Sequence, residues 1–443
     1  MLEKQESIIK TELIEKINSR EAVVGVIGLG YVGLPLAVEF AREGYHVIGI
    51  DLSKSKVDAL NNGRSYIPDV STQEVAPLAE EGLLTATSDY SALREVDAII
   101  ICVPTPLRKT KDPDMSFVIA AADEIAKYCH SGQLIILEST TYPGTTDELI
   151  VPRIAHNGFK VGENVFICFS PERIDPGNQT YQVRNTPKII GGVTPECTQV
   201  GTALYTKAID TVVPVSSTRA AEMVKLLENT FRAVNIGLVN EMAVMCDKLD
   251  VNVWEVIEAA STKPFGFMTF YPGPGLGGHC IPIDPLYLSW KLKGLNYNAR
   301  FIELASEVNG SMPLFVLDRV VDALNEQRKS VNGSSILVLG VAYKRDIDDV
   351  RESPALDIIQ LLEERGAEVI YNDPHVLDLR HEGLNIQSIE LTQQVIEDAD
   401  CIVIVTNHTA YDYEWIGEHA SVIIDSRNAM KDVHNPAARV VLL

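Results

Sequence analysis

Val23-Val24-Gly25-Val26-Ile27-Gly28-Leu29-Gly30-Tyr31-Val32-Gly33, then a helical stretch to Arg42, then His46-Val47-Ile48-Gly49-Ile50-Asp51, is the segment that decides the fold. An apolar run, a turn with three glycines, a helix and a second apolar run make one strand–turn–helix–strand unit. Each glycine has a separate task. Gly28 makes the tight turn, Gly30 lets backbone approach a pyrophosphate, and Gly33 permits close packing of helix on strand. The helix N-terminus behind the turn offers free N–H groups to an anion. Asp51, about 20 residues past the glycines, is placed to accept both hydroxyls of a ribose and to repel a 2′-phosphate. The expected cofactor is therefore NAD.

Working outward, Ala98-Ile99-Ile100-Ile101-Cys102-Val103 precedes Pro104-Thr105-Pro106, and Leu134-Ile135-Ile136-Leu137 precedes Glu138-Ser139-Thr140. Buried runs separated by helical stretches indicate a parallel sheet covered on both faces. The same order returns near the C-terminus. Ile336-Leu337-Val338-Leu339-Gly340 leads into a helical stretch, and Glu368-Val369-Ile370-Tyr371 ends at Asn372-Asp373-Pro374. Ala399-Asp400-Cys401-Ile402-Val403-Ile404-Val405 echoes Val96-Asp97-Ala98-Ile99-Ile100-Ile101, and Val422-Ile423-Ile424-Asp425-Ser426 echoes the strand before Ser139. This second copy lacks the three-glycine turn, so it is expected to bind a different nucleotide or none. Between the copies, Met223, Val224, Leu227, Phe231, Val234 and Leu238 recur at helical spacing and give one long apolar face. The prediction is an α/β chain of two Rossmann-like parallel-sheet domains, residues 1–214 and 326–443, joined by a helical central domain, 215–325, with a long helix. The cleft between domains is the expected active site.

Bulk properties exclude several classes of function. A formal net charge of −23 argues against a nucleic-acid partner, and any anionic ligand must be held by a local cluster of cations and N–H groups. No run of apolar residues is long enough for a membrane span, and the first twenty or so residues read as a short amphipathic helix. Seven cysteines without paired spacing fit a reduced, cytoplasmic protein. No metal site is expected, because the nine histidines show no ligand spacing.

The densest punctuation is Tyr271-Pro272-Gly273-Pro274-Gly275-Leu276-Gly277-Gly278-His279-Cys280-Ile281-Pro282-Ile283-Asp284-Pro285. Cys102, Cys168 and Cys401 lie inside apolar strands and read as small buried hydrophobes. Cys280 follows glycine-shaped backbone that a substrate can approach, which makes it the candidate nucleophile. Lys225 and Asn229, spaced i,i+4, share one helix face with Arg232 close by. They read either as a solvated stripe or as an ammonium and an amide set to stabilise an oxyanion. His279 reads as a loop histidine bonded to backbone, with tuning of the thiol as the other reading.

These motifs resemble the UDP-glucose/UDP-mannuronate dehydrogenase family along nearly the whole chain. The stretches that carry the resemblance begin with Val26-Ile27-Gly28-Leu29-Gly30-Tyr31-Val32-Gly33-Leu34-Pro35, Glu138-Ser139-Thr140-Thr141-Tyr142-Pro143-Gly144-Thr145-Thr146 and Ser170-Pro171-Glu172-Arg173. Ala221-Glu222-Met223-Val224-Lys225-Leu226-Leu227-Glu228-Asn229, the Cys280 loop and Ala342-Tyr343-Lys344-Arg345-Asp346-Ile347-Asp348-Asp349-Val350-Arg351-Glu352-Ser353-Pro354 complete the set. Within the family, the chain looks most like the bacterial UDP-N-acetyl-D-glucosamine 6-dehydrogenases that supply O-antigen and capsule precursors.

The resemblance implies a four-electron oxidation of a sugar C6 hydroxymethyl group to the carboxylate with two NAD. UDP-N-acetylglucosamine is the first expected substrate, and UDP-N-acetylmannosamine or UDP-glucose the alternatives. Cys280 is implied as the covalent nucleophile, and Lys225 and Asn229 as the oxyanion partners. Glu172, Thr140 and Asp284 are implied in proton transfer and water positioning. Gly28, Gly30, Tyr31, Val32, Gly33, Asp51, Thr105, Thr140 and Arg351 would face NAD. Glu172, Arg173, Lys225, Asn229, Tyr271, Gly277, Lys344 and Arg427 would face the sugar nucleotide. A homodimer or larger homo-oligomer is also implied. Two departures stand out. Pro176 replaces a second glutamate of the UDP-glucose enzymes, and His279 and Ile283 replace their serine and lysine beside the nucleophile and the aspartate. The Gly-Gly-His-Cys form is similar to the N-acetylhexosamine branch. A nucleotide-sugar sensor keeping the fold without turnover has no use for the thiol.

Overall fold

The computed structural model describes residues 2–108, 112–174, 178 and 180–443, with side chains from residue 8 onward. Pro176 lies outside the described residues. The chain divides into two compact units. The first holds Met1–Glu228 with Trp290–Asn296, and the second holds Asn229–Ser289 with Tyr297–Leu443.

In the first unit, α1 (Leu2–Ser19) precedes β1 (Val24–Ile27), α2 (Gly33–Arg42), β2 (Val47–Ile50), α3 (Lys54–Asn61), α4 (Thr72–Glu80) and β3 (Leu84–Thr87). β4 (Ala98–Ile101), α5 (Ser116–Tyr128), β5 (Gln133–Leu137), α6 (Val151–His156) and β6 (Val165–Phe169) follow. β7 (Lys188–Gly192), α7 (Pro195–Tyr205) and β8 (Val212–Val215) end the sheet. Its strand order is β3-β2-β1-β4-β5-β6-β7-β8. The first six strands are mutually parallel in the doubly wound order, with the switch point between β1 and β4. β7 then pairs antiparallel with β6, and β8 runs parallel to β7. The expected amphipathic helix at the N-terminus is present as α1, which buries Leu13 and Ile17 in the core beneath the sheet.

Helix α8 (Thr218–Lys248) carries the chain from the first unit into the second. α9 (Val253–Ser261), α10 (Asp284–Lys293) and α11 (Arg300–Glu326) follow. The second sheet comprises β9 (Ser335–Leu339), β10 (Glu368–Asn372), β11 (Cys401–Ile404), β12 (Val422–Asp425) and β13 (Arg439–Leu442), with α12 (Pro354–Glu364), α13 (Gln393–Asp398) and α14 (Tyr413–His419) between strands. Its order, β10-β9-β11-β12-β13, is parallel throughout. Alternate residues explain the unbroken apolar runs. Ile336, Val338, Val403 and Ile424 enter the core on one face, while Leu337, Leu339, Ile404 and Ile423 enter the core on the other.

The apolar face read on the long helix is present but not buried. Met223, Leu227, Phe231 and Leu238 are exposed, Leu227 at 62%. The buried side of α8 is Leu226, Ala233, Val239, Ala243 and Cys246. Small residues face inward because Ala305 and Asn309 of α11 lie against Gly237. Among the described residues no helix is long and apolar enough to cross a membrane.

Candidate active site

The glycine turn has the geometry its three positions demand. Gly28 adopts φ +90°, and a Cβ there would lie 2.5 Å from the Cys102 carbonyl oxygen across the switch point. A Cβ at Gly33 would lie 1.9 Å from the Gly28 carbonyl oxygen, so α2 packs at a distance that only glycine allows. At Gly30 a Cβ would meet no protein atom within 4 Å, which leaves that face of the backbone open to a ligand. Val32 stands at the N-terminal boundary of α2, and Tyr31 is exposed beside it. Asp51 braces the turn. Its Oδ2 accepts the Leu29 N–H at 2.9 Å and its Oδ1 accepts the Ser53 N–H at 2.9 Å. Lys56 Nζ also reaches Asp51 Oδ2 at 3.1 Å, a partner that sequence reading missed. Thr105 and Thr140, beyond the ends of β4 and β5, are buried.

A charged cluster lies at the same C-terminal edge of the sheet. Lys188 Nζ donates to Glu138 Oε2 at 2.9 Å and stands 3.6 Å from Glu172 Oε2. Glu138 also accepts the Tyr205 hydroxyl, and Glu172 accepts the Ile174 N–H. Burial pushes the Glu138 carboxyl up, opposed by the Lys188 ammonium. Burial works to discharge Lys188, but the Glu138 and Glu172 carboxylates outweigh it and its pKa is raised. Arg173 turns to Glu228, donating from Nε to Oε2 at 3.2 Å, and from Nη1 to the Pro187 carbonyl at 2.8 Å. Sequence reading named Glu172 and Arg173 but missed Glu138, Lys188 and Tyr205. The available signal was a charge directly after the run Leu134–Leu137 and another directly before Ile189-Ile190.

One turn into α8, buried Glu222 accepts three donors from the loop after β5. These are the N–H of Gly144 at 2.5 Å, and the N–H and hydroxyl of Thr146 at 2.9 and 2.8 Å. Burial raises its pKa to about 7 despite those donors. The contact fixes the turn of α8 that carries Lys225, itself only 5% exposed.

In the second unit the Cys280 loop is held from several sides. The Cys280 carbonyl accepts the N–H groups of Ile283 at 3.1 Å and Asp284 at 2.8 Å, so the half-buried cysteine opens α10. Asn229 Nδ2 donates to the buried Asp284 Oδ2 at 2.6 Å, which joins two of the predicted residues directly. The glycines of the loop are needed for close approach. A Cβ at Gly273 would stand 2.6 Å from an Arg427 nitrogen, and one at Gly277 would stand 2.5 Å from Tyr343 Cβ. Gly273 N–H donates to Asn240 Oδ1 at 2.9 Å, and Gly278 N–H to the Arg351 carbonyl at 3.0 Å. Arg427 Nε donates to the Val405 carbonyl at 2.9 Å, and desolvation lowers its pKa to about 10, which leaves it cationic at neutral pH. Tyr271 is half-exposed and stacks on Trp254 with ring centroids 6.1 Å apart. Arg351 is paired with Asp349, and Lys344 is partly buried.

The second sheet repeats the first switch point but fills it. Gly340, at φ +77°, would place a Cβ 2.2 Å from the Thr406 carbonyl, as Gly28 does against Cys102. Asp373 stands where Asp51 stands, and its Oδ2 accepts the Val341 N–H at 2.7 Å. On that oxygen, where Asp51 has Lys56, stands the buried His408 at 3.0 Å, and Asp373 is 1% exposed. Asp346, His375 and His408 bring ligand-type atoms within 4.8 Å of one another, a cluster that linear spacing did not reveal. Its chemistry does not suit a metal. His408 Nδ1 accepts the Asp346 N–H at 2.9 Å, so the proton sits on Nε2 and is donated to Asp373. Both ring nitrogens are committed.

Models of the UDP-glucose/GDP-mannose dehydrogenase family match most of the chain. The NAD binding domain matches residues 22–209, the central domain 219–311, and the UDP binding domain 337–432. A UDP-N-acetyl-D-mannosamine dehydrogenase of Yersinia pestis is 36% identical over 403 residues, covering 88% of this chain and 94% of the relative. An NDP-N-acetyl-D-galactosaminuronic acid dehydrogenase of Ralstonia nicotianae is 36% identical over 400 residues, covering 88% and 91%. Among solved structures, a UDP-D-ManNAc dehydrogenase of Pyrococcus horikoshii superposes with a TM-score of 0.86 at 34% identity, covering 95% of this chain and 99% of that one.

Proposed function

The chain belongs to the UDP-glucose/GDP-mannose dehydrogenase family, and from that premise we propose that it oxidises C6 of a UDP-N-acetylhexosamine to the carboxylate. UDP-N-acetylmannosamine is the first substrate reading, because the Yersinia and Pyrococcus proteins carry that sugar in their names. UDP-N-acetylglucosamine, expected first from the resemblance of the motifs, becomes the second.

The observation that carries the reaction is a half-buried thiol at the head of α10, beside the Asn229–Asp284 pair. NAD fits the first unit on the open face at Gly30 and the carboxylate at Asp51. When bound, it supplies the hydride acceptor for both oxidations. Cys280 adds through sulfur to the C6 aldehyde, so the intermediate stays covalently held between the oxidations. Lys225 and Asn229 stabilise the oxyanion of that adduct. After the second oxidation Cys280 carries a thioester. Water attacks its carbonyl carbon, the C–S bond breaks, and Glu172 takes the water's proton. Lys344 and Arg427 supply the cationic charge that a diphosphate needs on a chain of net charge −23.

Purified protein with excess NAD and limiting UDP-N-acetylmannosamine, UDP-N-acetylglucosamine or UDP-glucose should give two NADH per molecule of the mannosamine sugar at the highest rate. A preference for the glucosamine sugar reverses the order of the readings, and one NADH per sugar removes the four-electron reaction. Asp51→Ala should raise the dissociation constant for NAD by about tenfold or more, because hydrogen bonds from ribose hydroxyls to a charged acceptor are lost. UDP-sugar affinity should stay within about threefold, both read by calorimetric titration; unchanged NAD affinity removes Asp51 from the ribose role. The exposed stripe of Met223, Leu227, Phe231 and Leu238 supports a homo-oligomer through α8. Light scattering should give at least twice the chain mass of 48.7 kDa, and a monomer at micromolar concentration removes this reading.

A further inference from the structure

The geometry points to Lys188, clamped by Glu138 and Tyr205, as the positioning residue that holds Glu172 in place for thioester hydrolysis. This rests on the reading of Glu172 as the group that takes the water's proton.

The strand that reverses the sheet is what makes the arrangement. β6 ends at Phe169 and Glu172 lies just beyond it, while β7 runs back alongside with Phe169 opposite Gly191. The first residue of β7, Lys188, is thereby delivered to the C-terminal edge where Glu172 and Glu138 lie. A lysine at the head of a parallel strand would sit at the opposite edge. Ser170 fastens the crossing by donating its hydroxyl to the Ile189 carbonyl at 2.7 Å.

Among the described residues, the charges around this lysine are few. Glu138, after β5, takes one ammonium hydrogen bond at 2.9 Å and the Tyr205 hydroxyl of α7. Glu172 faces the same ammonium at 3.6 Å. Burial pushes the Cys102 thiol after β4 and the Tyr205 phenol well up, so both are neutral. Lys225 of α8 adds a second ammonium near Cys102, and the Arg173 guanidinium is turned to Glu228. Two carboxylates thus share Lys188. A cation within about 4 Å favours the charged form of a carboxylate, and only that form can accept a proton from water. Glu138 and Tyr205 fix the ammonium, and the ammonium fixes the second carboxylate.

During hydrolysis a C–O bond forms as the C–S bond to Cys280 breaks. The water's proton passes to Glu172 and on to solvent, so the cluster changes charge by one during each turnover.

The test is the pH dependence, from about pH 5.5 to 9, of uronate release in a single turnover, followed by quenched flow. Glu138→Gln should move the acid limb downward, because one competing carboxylate disappears and Lys188 serves Glu172 alone. The double variant Glu138→Gln with Lys188→Met leaves no unpaired charge at Glu138. It should move the limb upward by about one unit or more relative to Glu138→Gln, as expected for loss of a cation within about 4 Å. Lys188→Arg should lie near wild type. A loss by the same factor at every pH in the double variant, or an unmoved limb in Glu138→Gln, overturns the proposal. Glu138→Gln is the milder change and carries the test if the double variant does not fold. Glu172→Gln separates the two ideas. If it retains the wild-type limb, the reading of Glu172 fails. If it abolishes release while the double variant leaves the limb in place, only the role of Lys188 fails.

Discussion

Cys280→Ala should lose uronate formation by about 10³-fold or more while NAD binding stays within about twofold. The residue is the half-buried thiol whose carbonyl caps the first turn of α10, and its backbone is fixed by Gly278 on Arg351 and by the helix it opens. Removing the sulfur leaves these backbone bonds in place, so the loss falls on chemistry and not on folding. On the proposed mechanism, only the thiol holds the C6 aldehyde between the two oxidations. Cys280→Ala should therefore give at most one NADH per sugar, with the product released as aldehyde or its hydrate. NAD affinity is preserved because the glycine turn and Asp51 belong to the other unit. Mass spectrometry of the quenched wild-type enzyme should show a sugar-nucleotide adduct that the variant lacks. Uronate formed by Cys280→Ala at near wild-type rate would end the covalent mechanism.

Lys225→Met should lower kcat by about 10²–10³-fold, the magnitude expected when one donor to a developing oxyanion is removed. Methionine keeps the length and apolar body of the side chain and discards the charge. The site favours a strong effect because Lys225 is 5% exposed, and little water is available to replace the ammonium. The turn before it is fixed by Glu222, which accepts three hydrogen bonds from the Gly144–Thr146 loop, so the backbone should not move. The affinity for NAD, read by titration, should stay within about threefold. A kcat within threefold of wild type would place Lys225 outside the chemistry and return it to a packing role.

The amino-acid sequence by itself determined the two strand–turn–helix–strand units, the three glycines, Asp51 and the singular cysteine loop. These are local features. Apolar period reports which faces are buried, and a glycine at positive φ or at a 1.9 Å approach is required wherever it occurs along the chain. Periodicity does not report what an apolar face is buried against. The stripe on α8 has the spacing of a core face, yet Leu227 and Phe231 point outward and smaller residues line the inner side. Only the tertiary structure decided the polar partners. Lys188 meets Glu138 across 50 positions because β7 runs against β6, and His408 meets Asp373 across 35 because β11 lies beside β9. The same contact separates the two copies, since the third partner on the carboxylate is buried His408 at Asp373 and the longer, more exposed Lys56 at Asp51. An ion pair depends on strand direction and register, which no single segment encodes, whereas a tight turn is fixed by the residues that make it.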